Sequence, residues 1–573
     1  MFRPCTTSLR RIRPCHARQL TTQPMPSSST KPQAPPHRPL PYGSTVTPST
    51  APSSQHPHMS GYSVKWRLLT FAAGAVVGGL TFALALYNDA DETADTDMTR
   101  EYEETREEVL HRGSLIEAAR SDPGLFVWGL GGVEETAATR FFRGKVLRAV
   151  ALGREQGAAV DEKGNLLQWH VEGSGKASLS RPGRSKVSAP VVTLSGKDLV
   201  QVACTGDRVV AVARNGSLYS LQKPAADKGN DGATVKAHTD VRVKAPALWR
   251  FESVASIAAG AQHVVAVTTK GRVFTMPLTE TANSAGQLGT GVAEERTEVG
   301  TWRLVKDLGT DTAAEAACGD SHTLIRTTSG RVFGFGANIF GQLGLDPTNP
   351  TFPHPTEITT LRLPSAQSHP ATCTQIAAGG NTTLFVLDAP DSTDVLACGS
   401  GLNGQLGNGS YTHVTGGPVR VKNVSGLREY DEATKQVKPI RVREIAVSPT
   451  GTHCAAVLDN VVDEPTRSGL WWLPWSSPAT TTPARYGHDL LLWGGNRAGQ
   501  LARSDNKKAG SPIPIPVRQL TFGDGEARWK GRFQLAPVGL VAVRSEGGKI
   551  RRVRGEGKVV LGDEVTGIFM TQA

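Results

Sequence analysis

Four segments of the chain share one short phrase: Gly286-Gln287-Leu288-Gly289, Gly341-Gln342-Leu343-Gly344, Gly404-Gln405-Leu406-Gly407, and Gly499-Gln500-Leu501 followed by Ala502. Repetition of this kind constrains the fold more than any local motif. A single repeat cannot bury its apolar face alone, so neighbours must stack on it. Ahead of three copies stand pairs that close a strand, Phe335-Gly336, Cys398-Gly399 and Trp493-Gly494, and Trp128-Gly129 opens the series. A second phrase recurs between them. It runs Ile257-Ala258-Ala259-Gly260, then His263, then Lys270-Gly271, and returns as Ala316-Ala317-Cys318-Gly319, His322 and Ser329-Gly330. Fainter copies start at Val150, Val202, Ile376 and Ile445, the last with His453 slightly displaced. Val538–Val543, followed by Glu546-Gly547-Gly548, reads as the seventh.

Each unit predicts short strands joined by a tight turn in which glycine takes a positive φ without a Cβ penalty. The small Ala-Ala-Gly run suits a strand crowded near a central axis. Composition agrees: 62 glycines and 6% aromatic residues indicate a turn-rich β protein, and 38% apolar residues suffice for a large core. Seven units over residues 125–573, about 64 residues each, predict radially arrayed four-stranded sheets. The expected fold class is therefore all-β, a seven-bladed β-propeller over residues 123–573, interrupted by an insertion at 459–486.

The N-terminal part is of another kind. Residues 1–20 hold five arginines and no acid, the composition of a mitochondrial transit peptide, although a disordered basic arm for nucleic-acid phosphate has the same charge. Residues 21–67 are a Pro/Ser/Thr-rich spacer expected to be disordered. From Leu68 to Tyr87 no residue is charged, and twenty residues in a helix give about 30 Å, one hydrocarbon core. Gly74 and Gly78 form a small-residue face on that predicted transmembrane helix, suited to packing on another helix. Residues 88–122 are expected to form an acidic helical stalk ended by Asp122-Pro123-Gly124.

Charge supplies the orientation. The net +11 divides into +9 before residue 89, −8 over Asp89–Glu108, and +10 spread over residues 109–573. The positive flank stays on the side from which insertion starts, so everything after residue 88 faces the opposite compartment. In the mitochondrial inner membrane this places the N-terminus in the matrix and the propeller in the intermembrane space. The dispersed remainder is a weak field, and no nucleic-acid partner is expected.

The elements quoted above, best seen in Phe333-Gly334-Phe335-Gly336-Ala337-Asn338-Ile339-Phe340-Gly341-Gln342-Leu343-Gly344, resemble the regulator-of-chromosome-condensation repeat family. The resemblance covers roughly residues 125–573, is strong in the middle units and degenerates in the first two and the last. It implies a seven-bladed propeller. With the basic start and the apolar span, the layout is similar to the fungal mitochondrial inner-membrane member of that family. That similarity implies a part in assembly of respiratory complex III, with complex III subunits or assembly factors as partners. Some nuclear relatives exchange guanine nucleotide on a small GTPase through an inserted wedge, and no insertion here matches that wedge residue by residue.

Each candidate site residue has a structural role that competes with a functional one. His263, His322 and His453 recur once per unit, so a shared structural hydrogen bond accounts for them better than one metal or catalytic centre. The repeated glutamine reads as a side chain that fixes its own loop. No catalytic, cofactor-binding or metal-ligating set is expected, and no small-molecule substrate; hydrolase, zincin and phosphate-loop motifs are missing from the sequence. Of seven cysteines, five stand alone in apolar stretches, as small buried hydrophobes do. Two departures from the repeat are candidate partner or membrane surfaces: Trp471, Trp472 and Trp475 in the insertion, and the basic run Lys549, Arg551, Arg552 and Arg554. The alternatives to a membrane-tethered, non-enzymatic scaffold are a nucleotide-exchange factor and a signal-anchored secretory-pathway protein. Acceptor patterns for glycosylation at Asn215, Asn381, Asn408 and Asn423 fit the latter.

Overall fold

Five four-stranded antiparallel sheets follow one another along the chain with their strands in sequence order, and a sixth adds the short strand Gln534–Leu535 to its four. Their first strands are Leu147–Leu152, Leu199–Cys204, Val254–Ala259, Ala313–Cys318, Thr372–Gly379 and Arg441–Val447. In the computed structural model the described residues are Ile116 and 119–573. Excepted are 130–136, 154–155, 171–188, 207, 223–240, 244–247, 249–250, 362–370, 432–434, 461–462, 465–483, 486, 504–509, 518–519, 523–526, 529–532 and 545–547. The predicted transit peptide, spacer and span, with Leu68, Gly74, Gly78 and Tyr87, lie outside the described residues. So do Trp471, Trp472 and Trp475. Among the described residues no helix is long and apolar enough to cross a membrane. Ile116 and residues 119–121 are helical, directly ahead of Asp122-Pro123.

The seventh blade is built from both ends of the described chain. Strand Leu125–Trp128 pairs with Thr566–Gln572 in the register Leu125↔Phe569 to Trp128↔Thr566, and Thr566–Gln572 pairs in turn with the second half of Ile550–Leu561. The ring is closed by hydrogen bonds between its first and last strands. This moves the seventh unit from where the sequence pattern placed it. The counterpart of Ile257-Ala258-Ala259-Gly260 is Val559-Val560-Leu561-Gly562, as the bond from Gly562 N to Val565 O repeats that from Gly260 N to His263 O. The expected strand, observed as Gly539–Arg544, instead pairs with the first half of Ile550–Leu561 as an additional hairpin at the edge of the sheet. Apolar alternation alone does not separate an added strand from an inner one.

No blade has a core of its own. The buried side chains gather in the gaps between neighbouring blades. Val265, Val267 and Val273 of the third blade meet Cys318, Ile325 and Phe335 of the fourth. Leu384, Val386 and Val395 of the fifth meet Cys454, Ala456 and Trp493 of the sixth. The closing blade packs on the sixth through Ile568 and on the first through Phe569. Middle strands such as His263–Thr268 are buried along their whole length, because both sheet faces are covered.

Six inner strands slip register at the same place, as between Val254 and Ser256 or Ala313 and Glu315. A bulge there turns a polar side chain toward the next blade. Gln201 Oε1 accepts from Ile257 N and its Nε2 donates to Ile257 O, both at 3.0 Å. Gln375 Nε2 donates to Val442 O at 2.9 Å, and Arg443 pairs with Glu556.

The recurrent strand-closing glycines are required by backbone geometry. Gly336 has φ 105°, and a Cβ there would stand 2.4 Å from Ser321 O. Gly399 and Gly494 repeat the arrangement at φ 106° and 103°. Gly336→Ala is expected to destabilise the ring by about 2–4 kcal/mol, read as a lowered denaturant midpoint at unchanged slope.

Candidate functional site, the loop face of the ring

The Gly-Gln-Leu-Gly segments follow the third strand of their blades, on the face that also carries the turns between first and second strands. Each loop is fixed from within. Gln287, Gln342, Gln405 and Gln500 accept through Oε1 from the backbone N two residues earlier, at 2.8–3.0 Å. Asn283, Asn338 and Asn496 accept through Oδ1 from Leu288 N, Leu343 N and Leu501 N. The motif leucines are fully buried anchors. The glutamine is thus the loop-fixing side chain that its recurrence suggested.

The carbonyl of the same glutamine is a junction to the next blade. Gln287 O accepts from Thr323 Oγ1 at 2.9 Å, Gln342 O from Thr383 Oγ1 at 2.7 Å, and Gln500 O from Thr566 Oγ1 at 2.9 Å. The residue ahead of the strand-closing glycine adds a second donor. Trp493 Nε1 donates to Gln405 O at 2.8 Å, Trp128 Nε1 to Gln500 O at 3.0 Å, and Cys398 Sγ to Gln342 O at 3.3 Å.

Each histidine completes such a seam. His263 Nε2 lies 2.8 Å from Thr323 Oγ1, His322 Nε2 2.9 Å from Thr383 Oγ1, and His453 Nε2 3.3 Å from Thr566 Oγ1. The threonine hydroxyl is spent on the glutamine carbonyl, so it accepts from the imidazole, and Nε2 carries the proton. All three rings are fully buried. Burial lowers their pKa, to about 4 for His263 and His453 and about 3 for His322. They are neutral latches on three separate seams. At the equivalent place the first, second and closing blades carry Gln156, Arg208 and Val565, each accepting the same turn-closing backbone bond through its carbonyl. The threonine partners were not singled out from the sequence, although Thr323 and Thr383 directly follow the recurring position.

The described cysteines are free. Burial pushes the Cys204 and Cys373 thiols up to about 12, and those of Cys318, Cys398 and Cys454 upward as well. Among the described residues no group of three or more His, Cys, Asp or Glu side chains is placed to hold a metal ion.

With Leu and Gln turned inward, each loop offers outward the residue three places before its glutamine. In the fourth and fifth blades these are Ile339 and Leu402, 61% and 55% exposed. The following loop of the fifth blade adds Tyr411 and Val414, also exposed. Phe340 meets the His413 ring at 5.4 Å, and Tyr411 OH donates to Gly510 O in the sixth blade. The exposed apolar residues thus lie on loops of two neighbouring blades, and Tyr411 reaches a third, an arrangement suited to protein docking.

The basic run lies elsewhere. Lys549, Arg551, Arg552 and Arg554 are exposed on the added hairpin, on the opposite face, where Arg551 pairs with Glu162 at 2.6 Å in a hairpin turn of the first blade. The structure does not bring it together with Ile339 and Leu402.

Fold and seams together define a closed seven-bladed propeller, three of whose seams are tied by Gln–Thr–His junctions on one face. The repeats are of a known type: models of the regulator of chromosome condensation (RCC1) repeat match residues 329–386 and 314–342. The probable E3 ubiquitin-protein ligase HERC3 of Homo sapiens is 32% identical over 224 residues, 39% of this chain and 19% of that protein. The ultraviolet-B receptor UVR8 of Arabidopsis thaliana is 26% identical over 267 residues, 46% of this chain and 55% of that one. Protein RCC2 of Homo sapiens is 38% identical over 98 residues, 17% of either chain. The chain thus spans from 17% to 55% of the length of these relatives. The crystal structure of human WBSCR16 superposes with a TM-score of 0.52 at 15% identity, covering 79% of this chain and 100% of the other, a likeness of fold.

Proposed function

We propose that this protein is a non-enzymatic, membrane-tethered propeller that docks protein partners on its loop face. The observation that carries this is the exposed apolar group of Ile339, Leu402, Tyr411 and Val414, held on loops whose own bonds are already satisfied. A rigid loop meets a partner without an ordering cost. The uncharged stretch Leu68–Tyr87 and its charged flanks support a single span, with the N-terminus in the matrix and the ring in the intermembrane space of mitochondria. The same layout supports a role in assembly of respiratory complex III, whose subunits or assembly factors would be the partners.

Ile339→Asp with Leu402→Asp is expected to weaken capture of complex III components by about tenfold or more, since a central apolar anchor contributes roughly 2 kcal/mol. Thermal unfolding should not change, both side chains being exposed. Native electrophoresis of mitochondria lacking the protein checks the wider role. Complex III subassemblies should accumulate, and a normal complex III profile would reject it. Acceleration of GDP release from a small GTPase would favour the exchange-factor reading. An endoglycosidase mobility shift would favour the secretory one. Against the latter, Asn423 Nδ2 is engaged with Pro514 O at 3.3 Å.

A further inference from the structure

The added hairpin, Gly539–Arg544 with the first half of Ile550–Leu561, has two unlike sides. Directly opposed residues share a side, and the pairs are Leu540↔Arg554, Val541↔Val553, Ala542↔Arg552, Val543↔Arg551 and Arg544↔Ile550. Val541 and Val543 face inward and are buried against Ile116, Val146, Ala536 and Met570. The outward side therefore presents Leu540, Ala542, Arg544, Ile550, Arg552 and Arg554. Leu540 is 61% and Ile550 64% exposed, and the three arginines are exposed too. Among the described residues none of these three guanidinium groups has an ion-pair partner. Elsewhere on the ring arginines are commonly paired, as Arg331 is with Glu357 and Asp311, Arg303 with Glu294, and Arg148 with Asp198.

Three unmatched guanidinium groups interleaved with two exposed branched aliphatic side chains suit a surface that is anionic outside and apolar just beneath. A bilayer rich in anionic phospholipid is such a surface, with phosphates for the arginines and acyl boundary for Leu540 and Ile550. An acidic protein segment would answer the charge but leave the aliphatic pair without a role. Chain connectivity points the same way. Ile116 packs beneath this hairpin and Arg120 Nη2 donates to Pro537 O at 2.9 Å, so the chain from Tyr87, twenty-nine residues before Ile116, joins the ring at this edge.

We infer that the outward side of the hairpin, through Arg544, Arg552, Arg554, Leu540 and Ile550, lies on the anionic phospholipid surface of the membrane in which the chain is anchored. The inference rests on the tethered reading. It adds a second, headgroup-dependent contact that fixes which edge of the ring meets the membrane and leaves the loop face free for partners. The span holds the chain in the membrane, and the hairpin contact, made at the high effective concentration that the tether provides, orients the ring on it.

The test uses the full chain reconstituted in nanodiscs of phosphatidylcholine alone or mixed with phosphatidylglycerol. Amide hydrogen exchange over residues 539–555 is the readout. Exchange is expected to be about tenfold slower in the anionic discs, with the difference lost in high salt. The combined Arg544→Glu, Arg552→Glu and Arg554→Glu variant should exchange equally in both discs, its thermal midpoint confirming that the ring is intact. Equal exchange of the wild-type chain in the two discs overturns the inference, and so does a difference that survives salt and charge reversal. Protection in neutral discs on addition of polyglutamate, without any lipid effect, would assign the hairpin to an acidic protein instead. Resistance to alkaline carbonate reports the span separately, so failure of the tether and failure of the hairpin contact give different results.

Discussion

Deleting residues 566–573 is expected to leave the chain without a cooperative unfolding transition. That strand is the middle of the closing blade: it pairs with Ile550–Leu561 on one side and Leu125–Trp128 on the other. Its loss unties both ends of the ring at once. Ile568, Phe569 and Met570 are each less than 9% exposed and belong to three different clusters of the core. Their burial alone is worth roughly 6 kcal/mol, against a total of about 5–15 kcal/mol for an ordinary domain. Thr566 and its bond to Gln500 O go as well. Removing only Gln572 and Ala573, both exposed, should cost less than about 1 kcal/mol. Circular dichroism during heating, compared for the two truncations, checks this. A cooperative melt of the longer truncation would mean that the blades hold together without closure.

The second large effect is a crossing of stability curves with pH for His322→Gln. A glutamine stands at the equivalent place in the first blade, where Gln156 Nε2 donates to Thr205 O at 3.3 Å. At neutral pH the variant should be about 1–3 kcal/mol less stable, because the latch to Thr383 is lost or misplaced in a dry site. The wild-type ring is penalised in acid. His322 has a folded pKa near 3, lowered by burial and then by His263, against about 6.5 in the unfolded chain. The unfolded state therefore binds the proton first. The stability held by the neutral ring is complete above pH 6.5 and falls as pH drops from there toward 3, by about 1.4 kcal/mol per unit. The two proteins should become equally stable near pH 5, with the variant ahead below it. Glu315 and Glu444, whose carboxyls burial raises, act with the opposite sign above about pH 4.5. They are common to both proteins and cancel in the difference. Denaturant titrations at a series of pH values measure it, and a constant difference across that range would reject the buried neutral latch.

Much of the ring was legible because its repeats are local. Gly330 needs φ 84° for a hairpin turn, Gly336 a close approach to Ser321 O, and Gln342 a bond to Phe340 N. Each requirement leaves a residue type at a fixed spacing. The histidines were readable for the same reason: a side chain repeated blade by blade serves every seam alike. Closure was not readable. Leu125 and Phe569 carry no mark of each other, since strand pairing is set by backbone bonds and any apolar alternation accepts many partners. The hairpin at Gly539–Arg544 was misplaced as the seventh unit on just this ambiguity. The docking group was hidden differently. Ile339 and Leu402 look like core residues in a string of apolar letters, and only the inward turn of Leu343 and Leu406 shows that they point out.

The pairing of Leu125–Trp128 with Thr566–Gln572 also orders events in time. During synthesis the first partner emerges more than four hundred residues before the second. Blades one to six can stack as they appear, but the seam between sixth and seventh and that between seventh and first stay open until the final strand exists. Until then a nascent chain carries two bare apolar edges and remains an unclosed arc. Its C-terminal strand is the timer as well as the clasp.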